Sequence, residues 1–214
     1  MRIMVVFSKG GSFRFAGNLD LHRAWMRLLT RAEIPVEFSQ GFHPQPKISI
    51  AAPLPLGWVG EREVLEFWLA QPMTLDELFH RVRDCMPPGI SLVELLEVKQ
   101  NAPAIQTMVD SLEYRVILPK EIDNLGIQET INQLMDAVSI PRTRRGKLYD
   151  LRPLILEMSV VPNSSGPSAN IDLILISNQN VTGRPDEVLD VLGIDPLTTL
   201  ITRKRINLKS SYFD

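Results

Sequence analysis

Apolar residues recur every three or four positions in two stretches of the first hundred residues. The first stretch predicts a helix with a buried stripe of Leu21, Trp25, Leu28, Leu29 and Ala32. The second stretch follows Thr74, which forms a capping box with Glu77 and so marks the start of another helix. Runs of β-favouring residues predict four strands, at residues 2–7, 48–52, 63–69 and 90–98. The resulting order, β-α-β-β-α-β, is that of the ferredoxin-like fold.

The same order recurs in the second half of the chain. Apolar positions predict a helix marked by Ile127, Ile131, Leu134 and Val138, and a short helix between Gly183 and Gly193. Strands are predicted at residues 112–118, 148–161, 170–177 and 198–208, with a turn at 163–167. We therefore predict an α+β protein with two tandem ferredoxin-like (βαββαβ) domains. Their predicted ranges are residues 1–100 and 111–214, joined by a linker at 101–110.

The most specific stretch is the proline-punctuated loop that begins at Phe38 and continues to Gly57. Prolines at 44, 46, 53 and 55 hold the residues before them in extended geometry and so stiffen both sides of the strand at 48–52. A stiff loop loses little entropy when it binds, which favours a recognition surface carrying Gln40, His43, Gln45 and Lys47. The alternative interpretation is a plain connector between a helix and a strand.

Composition limits the chemistry that the chain can perform alone. The net charge is −2, so any attraction to nucleic acid must be local. The single cysteine, Cys85, excludes an internal disulfide and a multi-cysteine metal or iron–sulfur site, and we predict neither a metal nor a cofactor. No apolar run reaches the roughly 20 residues that span a bilayer, so we expect a cytoplasmic protein without a membrane partner.

Basic residues cluster in three places. Three arginines recur four residues apart on the first helix, a second group surrounds Gly146, and a third lies on the last strand. Guanidinium groups bind phosphates in pairs of hydrogen bonds, and a tyrosine can stack on a base. We predict RNA binding by Arg23, Arg27, Arg31, Gln40, His43, Lys47, Arg142, Arg144, Arg145, Lys147, Tyr149, Arg203 and Arg205. The alternative is that these charges are only solvated.

The three histidines have no spacing typical of a metal site. His43 is the candidate for acid–base catalysis because it lies in the stiff loop, with basic residues that could stabilise a phosphate transition state. This combination would suit metal-independent RNA cleavage. No other catalytic residue is predicted.

Two motifs resemble those of the radical-SAM-linked domain of unknown function family. They are residues 13–21 and residues 39–49, the second continuing through 52–57. The resemblance implies an accessory module for a radical S-adenosylmethionine enzyme, with any iron–sulfur cluster held by that partner. The family supplies no accepted catalytic residues. The matching positions, as candidates for a binding surface, are Arg14, Asn18, Asp20, Gln40, Gly41, His43, Pro44 and Pro46.

These observations lead to one prediction and two alternatives. We predict a non-catalytic accessory module that binds structured RNA, with transfer or ribosomal RNA as the expected class, and works with a radical S-adenosylmethionine enzyme. The first alternative is a metal-independent endoribonuclease that depends on His43. The second is a protein-only adaptor for the partner enzyme.

Overall fold

The chain folds as an α+β protein of two units. The computed structural model describes residues 1–119, 122, 124–162 and 169–212. The first unit consists of Met1–Val109 with Leu208–Asp214, and the second of Asp110–Asn207. Among the described residues, no helix is both long enough and apolar enough to cross a membrane.

The described part of the first unit contains four strands and three helices. Their bounds are β1 Arg2–Lys9, α1 Asn18–Arg31, β2 Ile48–Ile50, β3 Val59–Trp68, α2 Leu75–Asp84, β4 Ile90–Val98 and the single-turn α3 Ile105–Met108. The strands lie in the order β4-β1-β3-β2, and each neighbouring pair is antiparallel. Up to β4, the element order is the one that the sequence predicts for these residues.

Buried apolar side chains at alternate positions of β1 and β3 form part of the core of the first unit. Ile3, Val5 and Phe7 are fully buried on one face of β1, because successive side chains of a strand point to opposite sides. The apolar stripe of α1 packs against this face, and the rings of Phe7 and Trp25 meet edge to face with centroids 5.1 Å apart. The predicted stripe of α1 is confirmed, which leaves the opposite side of the helix for solvent.

The start of α2 confirms the predicted cap in part. The Oγ1 of Thr74 accepts a hydrogen bond of 3.2 Å from the backbone N–H of Glu77. The Glu77 carboxylate does not return this bond, since it binds the guanidinium of Arg81 at 2.6 Å. The helix therefore has the N-cap of a capping box without the reciprocal contact.

A buried polar network lies on the other face of β1 and β3. The Arg2 guanidinium binds the Glu66 carboxylate through two hydrogen bonds of 2.9 and 2.7 Å, and both side chains are buried. It also donates to the backbone carbonyls of Ala102 and Pro103. The hydroxyl of Tyr212 donates to the same Glu66 carboxylate. Burial, together with the negative charge of Glu66, raises the pKa of Tyr212.

In its described residues, the second unit contains six strands and two helices. Their bounds are β5 Val109–Ile117, α4 Asn124–Asp136, β6 Pro141–Arg144, β7 Lys147–Asp150, β8 Ile155–Pro162, β9 Ala169–Ile176, α5 Pro185–Val191 and β10 Leu200–Leu208. β5 begins at Val109, one residue before the unit, and β10 ends at Leu208, one residue after it. Four of these strands lie in the order β10-β5-β9-β8, and β9 pairs antiparallel with both β5 and β8.

The structure corrects the prediction of one strand at 148–161. That stretch is divided between β7 and β8, because a 3-10 turn at Arg152–Leu154 contains Pro153, which cannot donate to a strand ladder. β7 instead pairs with β6 in a separate hairpin. Its two turn residues, Arg145 and Gly146, have φ angles of 49° and 75°, as a two-residue type I′ turn requires. The predicted turn at 163–167 lies outside the described residues.

Candidate functional site

The exposed side of α1 carries the three arginines that the sequence predicts to bind RNA. Arg23 is 3.6 Å from the carboxylate of Asp20, and Arg31 donates to the backbone carbonyl of Cys85. Arg27 forms no ion pair with another described residue and is exposed. The three guanidinium groups thus lie on the side of α1 opposite its apolar stripe, and all three arginines are exposed.

The proline-rich loop after α1 is closed at its base by three hydrogen bonds, two of which form a β-bridge. Phe38 and Pro46 form a β-bridge, and the N–H of Lys47 donates to the carbonyl of Glu37 at 2.8 Å. Ser39 and Gln45 exchange two bonds, of 2.8 Å between backbones and 3.1 Å to the Ser39 hydroxyl. These contacts and the prolines fix the loop at its base, so residues 40–44 project as an exposed tip.

Helix α1 and this loop line one groove, which we call the α1 groove. The helix contributes Met26, Arg27, Thr30 and Arg31, and the loop contributes Phe38, Pro44, Gln45 and Pro46. The groove combines an apolar floor with two guanidinium groups. The structure therefore brings together two features that are separate in the sequence, the arginine stripe and the proline-rich loop.

Three exposed side chains occupy the tip of the loop: Gln40, Phe42 and His43. Phe42 is fully exposed, at 101%, and Gly41 before it has a φ of +136°, a conformation that favours glycine. Phe42 is not among the site residues predicted from the sequence, although an aromatic residue within a glycine- and proline-rich loop is the signal that could have identified it. The whole ring of Phe42 is therefore open to a binding partner.

The environment of His43 lacks a partner for acid–base catalysis. Within the described residues its side chain makes no hydrogen bond or ion pair. A general base is ordinarily held within hydrogen-bond reach of an orienting group. The nuclease alternative, which depends on His43, stays a prediction. The described residues also contain no group of three His, Cys, Asp or Glu side chains that could hold a metal ion.

Lys47 is engaged within its own unit. Its Nζ lies 3.4 Å from a carboxylate oxygen of Glu37 and 4.4 Å from the centroid of the Trp68 ring. A cation–π contact and an ion pair together hold this ammonium against the protein. Lys47 is thus less available to a ligand than Arg27.

The hairpin β6–β7 divides the second predicted basic cluster into two parts. Arg142 lies 3.6 Å from Glu187 and binds Asp190, and Arg144 lies 3.9 Å from Glu187, so α5 supplies carboxylates to both. The hydrogen bond to Asp190 raises the pKa of Arg142. At the other end of the hairpin, the turn residue Arg145 and the adjoining Lys147 are exposed and form no ion pair with other described residues.

Tyr149 lies near Glu187, the carboxylate that also pairs with Arg142 and Arg144. Burial and the nearby charge of Glu187 raise the pKa of the Tyr149 hydroxyl. The tyrosine also lines a small pocket with Arg144, Leu154, Val181 and Thr182. A ring packed in this way has less freedom to stack on a base than a ring at a loop tip.

Among the residues predicted to bind RNA, Arg203 is buried. Arg203 lies in the middle of β10 and is 1% exposed, so its guanidinium is removed from solvent and from any phosphate. Arg205, two residues further on, is exposed. Sequence alone could not separate the two, because both are arginines at alternate positions of one strand.

One protein family covers most of the chain. The family model of an uncharacterized protein conserved in bacteria (DUF2344) matches residues 2–185. The chain belongs to this family. Both motifs noted in the sequence, at residues 13–21 and 39–57, lie within the matched range. No curated protein matches the chain.

The fold is also similar to those of solved structures. The chain is similar to a chain in the crystal structure of a Cbf5-Nop10-Gar1 complex, with a TM-score of 0.53 and 9% sequence identity. The similarity covers 97% of this chain and 50% of that chain, so this chain spans half the length of its structural relative. At this identity the likeness concerns the fold alone.

Proposed function

We propose that the protein is a non-catalytic accessory module that binds structured RNA through the α1 groove and the loop tip beside it. We further propose that it works with a radical S-adenosylmethionine enzyme, and that both units are variants of the ferredoxin-like fold. The observation that carries the RNA proposal is the meeting of Arg27 and Arg31 with the proline-rich loop in one groove.

The charge of this surface supports an anionic ligand. Arg27 and Arg31 lie one turn apart on α1, about 6 Å along its axis, and both point to solvent. Like charges at this spacing disfavour a helix by a few tenths of a kcal/mol, a cost that an anion would remove. Guanidinium groups suit phosphate oxygens because they donate in parallel pairs.

The hairpin turn offers a second, smaller phosphate contact. Arg145 and Lys147 are exposed, whereas Arg142 and Arg144 are occupied by carboxylates of α5. We expect the paired arginines to contribute little, because a phosphate must first displace Glu187 or Asp190.

The start of α1 and the segment that adjoins it carry exposed apolar side chains, which would suit a contact with the partner enzyme. Phe15, Leu19 and Leu56 are all more than 60% exposed, at 63%, 73% and 64%. The N–H of Gly57 donates to the carbonyl of Arg14 at 2.9 Å, so the segments that carry Leu56 and Phe15 adjoin. Exposed apolar side chains on adjoining segments are typical of protein contacts. This observation also favours the second candidate function, a protein-only adaptor.

The test of RNA binding is fluorescence anisotropy of the purified chain with bulk transfer RNA at two salt concentrations. The informative variant is Arg27→Gln/Arg31→Gln, and its matched control is Arg142→Gln/Arg144→Gln. Each pair removes two positive charges, the first from arginines open to solvent and the second from arginines bound to carboxylates. We expect the first variant to lower affinity about tenfold, roughly 1.4 kcal/mol, and the control to change it much less.

The salt dependence gives an independent measure of the same contacts. Removing two phosphate contacts should reduce the slope of log K against log salt by about 1.4. Equal losses in both variants would contradict the groove as the binding site. Absence of RNA binding at low salt would contradict the proposal and favour the adaptor. In that case Leu19→Ser should abolish capture of the partner enzyme in nuclease-treated extracts.

A further inference from the structure

We infer that the loop tip recognises an unpaired nucleotide, whose base stacks on the ring of Phe42. This inference rests on the proposed function, since it names the feature of RNA that the same surface would take. Phe42 is fully exposed at the end of a loop that is closed at its base by the Phe38–Pro46 bridge. A ring held open to solvent on a stiff support can stack without first rearranging the protein.

The surroundings of the ring supply the other contacts that a nucleotide needs. Gln40 and His43 flank Phe42 and are exposed, so their side chains can donate to and accept from base edges. Within the described residues neither side chain makes a hydrogen bond that a base would have to replace. Phe38, 54% exposed, lines the α1 groove and offers a second apolar surface near the arginines.

The chemistry favours an unpaired nucleotide over a duplex. Bases inside an A-form helix are already stacked on each other, and the helix presents only their edges and its backbone. A phenylalanine ring has no group that reads an edge and can gain only from the flat face of a base. Loops, bulges and single-stranded ends expose that face. Arg27 and Arg31 would then contact phosphates of the same strand.

The experiment compares two labelled RNAs of equal length, an unstructured single strand and a blunt-ended duplex, by anisotropy. The wild-type chain should bind the single strand more tightly. Phe42→Ala should weaken single-strand binding about 5- to 150-fold, the range for loss of one stacked base. Leu197→Ala is the control, because Leu197 is another large apolar side chain almost fully open to solvent, at 93%, and lies outside the loop.

Phe42→Trp separates stacking from a merely structural role. The larger ring should retain or improve single-strand affinity, and its fluorescence should be quenched by the single strand and not by the duplex. Retained affinity in Phe42→Trp together with loss in Phe42→Ala would support the inference.

Failure of this inference can be told apart from failure of the proposed function. If Arg27→Gln/Arg31→Gln weakens binding while Phe42→Ala does not, the groove binds phosphates and stacking is overturned. A duplex that binds as tightly as the single strand would also overturn it. If neither RNA binds at low salt, both proposals fail, and Phe42 becomes a candidate contact for a protein partner.

Discussion

The α1 groove and the β6–β7 hairpin are two arginine-rich regions that differ in what surrounds the charge. In the groove, Arg27 has no carboxylate partner among the described residues, and Arg31 is bound only to a backbone carbonyl. In the hairpin, Arg142 and Arg144 lie against Glu187 and Asp190 of α5. The hairpin has the denser run of positive charge in the sequence, yet the groove leaves more of its charge available.

The difference shows that charge density along a chain does not measure charge available to a ligand. Glu187 and Asp190 are more than 40 residues from the arginines that they neutralise, so no local window of sequence contains both. The hairpin arginines serve mainly to attach β6 to α5. Among the described residues, Arg27 has no such partner, and Arg31 contacts only the backbone carbonyl of Cys85. Two kinds of substitution test this comparison. One removes a carboxylate from the hairpin arginines, and the other replaces an arginine that is buried.

The largest effect is expected at Arg2, which is more enclosed than any arginine of the two regions. Arg2→Met would leave the buried carboxylate of Glu66 without its cation, and we expect a loss of about 3–5 kcal/mol in the free energy of unfolding. Urea denaturation measures this loss. Arg27→Met is the control and should change the free energy of unfolding by less than about 0.5 kcal/mol. Similar values for the two variants would contradict the structural role of Arg2.

The next effect concerns Tyr212, which donates to Glu66 in the same network. Burial raises the pKa of Tyr212 above that of an unfolded tyrosine, about 10. The stabilisation from this shift is therefore complete below pH 10 and is lost as the pH rises further, because the unfolded chain then releases the proton first.

Urea denaturation between pH 9 and 11 should reveal this loss. We expect the free energy of unfolding to fall by up to roughly 1.4 kcal/mol per pH unit above pH 10 from this one group. Tyr212→Phe should lack that component, and the difference in slope between the two proteins isolates it. Parallel curves above pH 10 would show that Tyr212 ionises equally in both states.

The smallest effect is expected from Glu187→Gln, which would make the hairpin resemble the groove. The substitution removes the carboxylate shared by Arg142 and Arg144, and RNA affinity at low salt should rise about two- to fivefold. The gain should disappear at high salt, because these charges are partly exposed. Unchanged affinity at both salt concentrations would show that the hairpin does not face the RNA.

The same variant has a readout that does not depend on RNA. Glu187 raises the pKa of Tyr149, so Glu187→Gln should lower that pKa toward its ordinary value while burial keeps it above. Spectrophotometric titration of the tyrosines measures this change. An unchanged titration curve would show that Glu187 and Tyr149 are not in contact in solution.

The periodic elements of the first unit could be predicted from sequence because their signals are local. The stripe of α1 and the cap at Thr74 each depend on residues within a few turns of one another, and both are found in the structure. The prediction of one strand at 148–161 is wrong because it follows the apolar pattern across Pro153. A proline within such a run is itself a local signal against one continuous strand. The motif at residues 39–57 indicated that the proline-rich loop is a candidate binding surface. Phe42 became a candidate contact only because the structure shows that its side chain is fully exposed.

Three properties follow from the sequence alone: the order of helices and strands up to β4, the stiffness of the proline-rich loop, and the absence of a multi-cysteine site. These properties depend on side-chain periodicity, proline geometry and composition. None of the three requires contacts between residues that are far apart in the sequence. Which arginines remain available to a ligand depends on the tertiary structure. Arg203 is buried, Arg142 is paired with α5, and Arg27 lines a groove. The physical reason is that burial and ion pairing join residues far apart in sequence, and the free energy of a charge depends on those neighbours.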